Sequence, residues 1–62
     1  MDIKNVKVGS MLFFKASEKA SAKDKYGEVI YINDSYVLVQ FPTYKESFLK
    51  VDLKMRDDVT IL

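Results

Sequence analysis

The sequence predicts a single all-β domain, a small barrel of five short strands, and three observations favour this class. At 62 residues the chain has room for only one hydrophobic core. Its apolar segments are dense in valine, isoleucine, phenylalanine and tyrosine, which pack well on a pleated sheet, and none keeps the helical period of about 3.6 residues over a long window. Closing such short apolar strands into a barrel removes the unpaired edges that favour aggregation.

The first predicted strand runs from Ser10 to Ala16, after the turn-forming pair Gly9-Ser10. The next segment, Ser17 to Lys25, has no large apolar residue. A helix there would have no apolar stripe to bury, and isolated helices of that length are marginally stable. We therefore expect a long, mobile polar loop between the first two strands, with room for one helical turn.

A β-hairpin is predicted to follow, with strands from Tyr26 to Asn33 and from Tyr36 to Phe41. The residues between them, Asn33-Asp34-Ser35, are typical of a tight turn. Asn and Asp favour such turns because they tolerate positive φ and close Asx turns with their side chains.

Strict alternation gives this hairpin two apolar faces. Pairing across the turn places Ile32 opposite Val37 and Ile30 opposite Val39. One face then carries Ile30, Ile32, Val37, Val39 and Phe41, and the other carries Val29, Tyr31, Tyr36 and Leu38. Because both faces are apolar, the hairpin is either covered on both sides or presents a surface to a partner.

The C-terminal part is predicted to supply two more strands. Pro42 ends the third strand because proline cannot donate to a sheet ladder, and Thr43 to Glu46 is expected to be a loop. The segment from Ser47 to Leu53 is predicted as a half-buried strand. Its alternation places Leu49, Val51 and Leu53 on one face and Phe48, Lys50 and Asp52 on the other. A single 3₁₀ turn from Lys54 to Asp58 and a closing strand from Val59 to Leu62 complete the prediction.

This order of elements resembles an SH3-like barrel with a long polar loop between its first two strands. Within it, Gly27-Glu28-Val29-Ile30-Tyr31-Ile32 resembles the start of a KOW motif, and Val37-Leu38-Val39 resembles its last part. The resemblance implies a five-stranded SH3-like barrel and an accessory role on RNA or DNA. KOW-like packing would bury Val29 and Ile32 across a β-bulge, whereas strict alternation buries Ile30 and Ile32. Both alternatives stay open at this point.

The composition removes most catalytic and metal chemistry. The chain has no Cys and no His, so it has no Ser-His or Cys-His pair, no thiolate or imidazole metal ligand and no disulfide. Asp57 and Asp58 are adjacent, so on a strand they would point to opposite faces. A barrel this small is filled by its own side chains. We therefore expect a binding module without catalytic activity, cofactor or metal.

The charge is unevenly distributed although the formal total is only +1. Residues 1–25 carry six Lys against three acids, and the remaining residues carry four basic side chains against six acids. The first part predicts an anion-binding site, in which lysines contact phosphates and a tyrosine stacks on a base. Its candidates are Lys15, Lys19, Lys23, Lys25 and Tyr26. The alternative is a solvated loop whose lysines only keep the chain soluble.

Four aromatic residues form a second candidate site. Phe14 and Phe41 are predicted to fill the core, whereas simple alternation places four other rings on the opposite face of their strands. These are Phe13, Tyr31, Tyr36 and Phe48. Such rings are enriched in protein interfaces, including those of homodimers. The alternatives are that the N-terminal segment or the long loop covers them, or that they form cross-strand pairs that stabilise the sheet.

The expected compartment is the cytoplasm. The start of the chain has no apolar segment of a secretion signal, and the apolar runs are far shorter than the roughly 20 residues of a membrane helix. The size is compatible with a small bacterial helper protein, including a prophage-encoded one. The expected partner is a protein or a nucleic acid rather than a membrane.

Overall fold

The computed structural model of the chain describes residues 1–16 and 23–62. Five antiparallel strands in these residues form one open sheet in the order β4-β3-β2-β1-β5. They are β1 (Met11–Phe14), β2 (Lys25–Ile32), β3 (Tyr36–Gln40), β4 (Lys45–Leu49) and β5 (Val59–Ile61). A short helix, α1 (Lys50–Met55), connects β4 to β5, and a 3₁₀ turn, Ile3–Asn5, precedes β1. The predicted all-β class is confirmed, but the predicted closure into a barrel is not found in the described residues, because β4 and β5 do not pair and form the two edges of an open sheet.

The turns around the first three strands follow the predicted chemistry. Gly9 has a positive φ of 95°, which glycine adopts without steric cost, and the chain turns there into β1. The Asn33 Oδ1 atom accepts hydrogen bonds from the backbone N–H groups of Ser35 and Tyr36, both at 2.8 Å, as an Asx turn requires. The predicted long loop falls mainly on residues 17–22, which lie outside the described residues.

The core lies on one face of the sheet and is entirely apolar in the described part of the chain. It takes alternate residues from the strands, together with single residues from the N-terminal segment and α1. Its buried members are Val6, Leu12, Phe14, Val29, Val37, Val39, Phe41, Leu53 and Val59. The predicted core positions of Phe14 and Phe41 are confirmed.

A β-bulge at Ile30 sets the register of the central hairpin. Ile32 pairs with Val37 as predicted, but Val39 pairs with Val29 rather than with Ile30. Val29 is fully buried and Ile30 is only half-buried, so strict alternation is wrong here. The physical reason is the charge two residues before Ile30: without the bulge, Glu28 would face the core, and burying an unpaired carboxylate is costly.

The predicted strand from Ser47 to Leu53 is wrong beyond Leu49. The chain enters α1 at Lys50, whose N–H group donates to the Ser35 carbonyl at 2.9 Å. Phe48 lies opposite Val37 on the core side of the sheet, which leaves Leu49 exposed; the helix then returns Leu53 to the core. The helix also replaces the 3₁₀ turn predicted after the strand. The seven residues from Ser47 to Leu53 alternate as they would in a strand, but an alternation this short does not exclude a helix.

Candidate functional site

Lys25 lies at the start of β2, at one end of the sheet, beside two aromatic rings. It is on the same face of β2 as Gly27 and Val29, but it projects beyond the closed part of the core. Its Nζ donates a hydrogen bond of 2.8 Å to the Tyr44 hydroxyl and lies 5.6 Å from the centre of the Phe41 ring. The hydrogen bond to Tyr44 raises the pKa of Lys25 above its usual value, so the ammonium stays charged at neutral pH.

Arg56 provides a second cation over a second pair of rings. Its guanidinium carbon lies 5.5 Å from the centre of the Phe14 ring and 5.8 Å from that of Phe48. The guanidinium donates two hydrogen bonds to the Asp58 carboxylate, at 3.0 Å from Nε and 2.7 Å from Nη2. This bidentate pair lowers the pKa of Asp58 and fixes the guanidinium plane over the rings.

These two cations border an open cavity of about 170 Å³, which we call the cationic cleft. Three phenylalanine rings line it, surrounded by four basic and two acidic side chains. The rings are Phe14, Phe41 and Phe48, the bases are Lys15, Lys23, Lys25 and Arg56, and the acids are Glu46 and Asp58. Since Asp58 is already paired with Arg56, the lysines of the cleft face one carboxylate, Glu46, that forms no ion pair with a described residue. The cleft therefore favours an anionic ligand.

Two hydrogen bonds donated by backbone N–H groups position two of the lysines at this cleft. The N–H group of Lys15 donates to the Asp58 carbonyl at 2.8 Å, which ties the end of β1 to the segment before β5. The Asp24 carboxylate accepts the N–H group of Ala16 at 2.7 Å, which draws the residues on either side of the undescribed segment together. Lys23 is thereby brought to the same cleft as Lys15, eight positions earlier in the chain.

A second cavity, of about 330 Å³, lies on the other side of Lys25, and we call it the apolar slot. It shares Lys25 and Phe41 with the cationic cleft. Its remaining lining residues are Asp24, Tyr26, Pro42, Thr43 and Tyr44. Its volume is at the lower end of the range of roughly 300 to 1,000 Å³ that is typical of small-molecule sites.

The turn from Phe41 to Tyr44 forms one wall of this slot and is closed by hydrogen bonds. The Tyr44 carbonyl accepts two hydrogen bonds, from the Phe41 N–H group at 2.8 Å and from the Gln40 Nε2 at 3.0 Å. Pro42 fixes a backbone φ angle inside the turn. The Tyr44 ring stacks on the Phe41 ring with the centres 4.9 Å apart and the planes inclined by 26°. These contacts hold the Tyr44 ring against the Phe41 ring.

Gly27 makes room for the floor of both cavities. A Cβ atom at this position would overlap the Val39 Cγ1 atom and come within 2.9 Å of the Phe41 Cε1 atom. The absence of a side chain therefore allows the Phe41 ring to lie against the backbone of β2. The resemblance in the sequence pointed to this glycine, and the packing gives it a physical role.

The structure brings together three of the five predicted anion-binding residues. Lys15, Lys23 and Lys25 line the cationic cleft, whereas Lys19 lies outside the described residues. Tyr26 lies on the opposite face of β2 from Lys25, with its ring centre 5.0 Å from that of Phe13, and reaches the site only as part of the apolar slot.

Sequence reasoning missed Tyr44 and Arg56. Tyr44 directly follows the turn residues Pro42 and Thr43, and this position beside a turn could have identified it as a candidate site residue. Arg56 is the single arginine of the chain. Its position over two rings depends on the course of α1, which the sequence did not predict.

The predicted interface residues are divided between the two faces of the sheet. Phe13, Tyr31 and Tyr36 lie on the face away from the core, but Phe48 lies on the core side, with its ring stacked 5.2 Å from that of Phe14. The prediction that Phe48 shares a face with the other three is therefore wrong. The alternation predicted for the segment from Ser47 to Leu53 placed Phe48 on the wrong side of the strand. Tyr31 and Tyr36 form a ring pair 5.9 Å apart. With Leu38 and Leu49 they make up what we call the outer face.

No family model, curated protein or solved structure matches the chain. None of the helices in residues 1–16 and 23–62 has the length and apolar character needed to cross a membrane. In the same part of the chain, no group of three or more acidic side chains is arranged to hold a metal ion.

Proposed function

We propose that this protein is a small non-catalytic module that binds RNA or DNA through the phosphate backbone, as an accessory to a larger complex. The observation that carries the proposal is the convergence of Lys15, Lys23, Lys25 and Arg56 on one aromatic-lined cleft. The lysines come from residues 15–25 and Arg56 from the segment before β5, so the cluster is a property of the fold rather than of one charged segment.

The charge of the cleft suits a weak contact with a polyanion. Three lysines that neutralise about three phosphates give a slope of log affinity against log salt of about −2 to −3. The chain has nine lysines and one arginine, whereas base-specific recognition favours arginine. The proposed contact is therefore to the backbone and largely independent of sequence.

The fold supports the same proposal. The strand order β4-β3-β2-β1-β5, with α1 between β4 and β5, supports an SH3-like topology. The bulge at Ile30 buries Val29 and packs Ile32 against the core, which is the packing that the resemblance to a KOW motif implies. We propose an SH3-like, KOW-type domain on these grounds.

Titration of labelled RNA and DNA tests the nucleic-acid proposal. We expect binding at about 50 mM salt that weakens strongly at about 200 mM. The variant Lys15→Glu/Lys23→Glu should abolish it. The matched control is Lys4→Glu/Lys54→Glu, which makes the same change of charge at two exposed lysines outside the cleft and should reduce affinity only slightly. Absence of binding at the lower salt concentration would overturn the proposal.

The outer face favours a second candidate function, a protein adaptor or a homodimer. Tyr31 is 48% exposed and Leu49 is 52% exposed on a face with no charged side chain between them. Light scattering over a range of concentrations tests the dimer, and the matched variant Tyr31→Ser/Leu49→Ser should convert a dimer to a monomer without loss of structure. A mass that stays monomeric at all concentrations would exclude self-association.

A further inference from the structure

We propose that the apolar slot is a nucleobase site, in which one unstacked base packs on Tyr44 while the adjoining phosphate contacts Lys25. This inference rests on the proposed function and adds to it the part of the nucleotide that is bound and a preference for single strands. The slot and the cationic cleft share Lys25 and Phe41, so a ligand that spans both presents an anion and a flat apolar group a few ångströms apart. A nucleotide has that composition.

The Tyr44 ring has one covered face and one that is available. Phe41 covers the first face. The Lys25 ammonium does not cover the second face. Its nitrogen lies 5.5 Å from the ring centre, which is nearly the sum of the 2.8 Å hydrogen bond and the distance from the ring centre to the hydroxyl oxygen. The ammonium therefore lies in line with the hydroxyl at the edge of the ring. Tyr44 is 39% exposed, which is consistent with a free ring face for a base.

Lys25 has the capacity to hold a phosphate beside this ring. An ammonium group has three donors, and one of them is used by the Tyr44 hydroxyl. Among the described residues the ion pair is between Arg56 and Asp58, so no carboxylate there is paired with Lys25. The hydrogen bond to Tyr44 instead orients the ammonium at the boundary of the two cavities, where the backbone of a bound strand would cross.

The size of the slot favours a single base over a duplex. About 330 Å³ accommodates one flat ring system beside Tyr44, and a base inside a duplex is unavailable without being unstacked and unpaired at a cost of a few kcal/mol. Backbone contacts alone would not distinguish the two forms in this way. A preference for single strands, dependent on Tyr44, is therefore the signature of an occupied slot.

The direct test compares three ligands on the unmodified protein at about 50 mM salt: an oligothymidylate of about ten nucleotides, an abasic strand with the same number of phosphates, and a duplex of the same length. We expect the oligothymidylate to bind at least about fivefold more tightly than the abasic strand, which is the smaller of the usual effects of stacking one base on an aromatic ring. We expect the duplex to bind no better than the abasic strand.

Two variants locate the effect at Tyr44. Tyr44→Leu should lower the affinity for oligothymidylate to that for the abasic strand, and its abasic affinity should equal that of Tyr44→Phe, because both variants lose the hydroxyl that orients Lys25. Tyr44→Phe keeps the ring and should retain most of the difference between the ligands.

Equal binding of the abasic strand and oligothymidylate by the unmodified protein would overturn the base site while leaving the proposed function intact. This comparison does not depend on any variant folding. Failure of all three ligands to bind would overturn the proposed function itself. Tighter binding of an acidic, tyrosine-containing peptide than of oligothymidylate would assign the slot to a protein ligand instead.

Discussion

The Phe41 ring packs directly against the backbone of Gly27, at a distance that leaves no room for a methyl group. This contact connects the core to the candidate site, because the same ring lines both the cationic cleft and the apolar slot. The ring also stacks under Tyr44 and lies edge-on to Phe14 at 5.3 Å. Core packing and site geometry therefore depend on one glycine in β2.

Replacing Gly27 by alanine should destabilise the protein. The added Cβ atom overlaps Val39 and crowds Phe41, and overpacking of this kind costs about 1 to 3 kcal/mol. The free energy of unfolding, measured in urea, should fall by that amount. The matched control is Glu28→Ala at the next position, where the side chain is exposed and the expected change is within about 0.5 kcal/mol. An unchanged stability of Gly27→Ala would contradict the packing of Phe41 described here.

The bulge at Ile30 makes a separate prediction about the hairpin. Val29→Ala removes methyl groups from a fully buried position and should cost about 2 kcal/mol. Ile30→Ala removes more atoms, but from a half-buried bulged position, and should cost less than Val29→Ala. Urea unfolding of both variants tests this order. A larger loss for Ile30→Ala would restore the strictly alternating register.

The sequence predicts the elements that neighbouring residues determine by themselves. It does not predict those that depend on contacts between residues far apart in the chain. Asn33 and Gly9 specify their turns through their own side-chain and backbone properties, so these positions are predictable. The inward position of Val29 follows from keeping Glu28 out of the core, a choice between two registers that a local pattern leaves open. The turn into α1 after Leu49 brings Leu53 into a core built from distant strands, and that packing leaves no mark in the local pattern.

The candidate site is predictable to the same extent. The excess of lysine in the first part of the chain led to five candidate residues, and three of them, Lys15, Lys23 and Lys25, line one cleft. The sequence did not indicate which ring would stand beside them, because the side chain of Tyr26 faces away from Lys25 and Tyr44 reaches it from across the sheet. Which aromatic ring lies beside Lys25 therefore depends on contacts between residues that are far apart in the sequence.

The pair formed by Arg56 and Asp58 predicts an acid dependence of stability. Its hydrogen bonds lower the folded-state pKa of Asp58 below the usual value of 3.8, so the pair contributes fully above that value and is lost as the pH falls through the lower folded-state pKa. Asp58→Asn should therefore reduce stability at pH 7 and should make little difference in strong acid. Because both side chains are more than a third exposed, the effect should not exceed about 1 kcal/mol. Urea unfolding as a function of pH measures it.

The control for this prediction is the adjacent carboxylate. Asp57 is exposed and forms no ion pair with a described residue, so Asp57→Asn should leave the difference between neutral and acid stability unchanged. An equal effect of the two substitutions would show that general charge, rather than the bidentate contact with Arg56, determines the acid dependence.

Lys25 should contribute one phosphate contact to the binding of a nucleic-acid strand. Lys25→Gln removes the charge at the boundary of the two cavities, and the slope of log affinity against log salt should become shallower by about 0.7 for a single strand. The control, Lys45→Gln, removes the same charge from an exposed residue of β4 that lines neither cavity, and it should leave the slope nearly unchanged. Fluorescence anisotropy at four or more salt concentrations, on the order of 50 to 200 mM, measures both slopes. Equal slopes for the two variants would mean that Lys25 acts only through the net charge of the protein, and the strand would then have to cross the surface away from Tyr44.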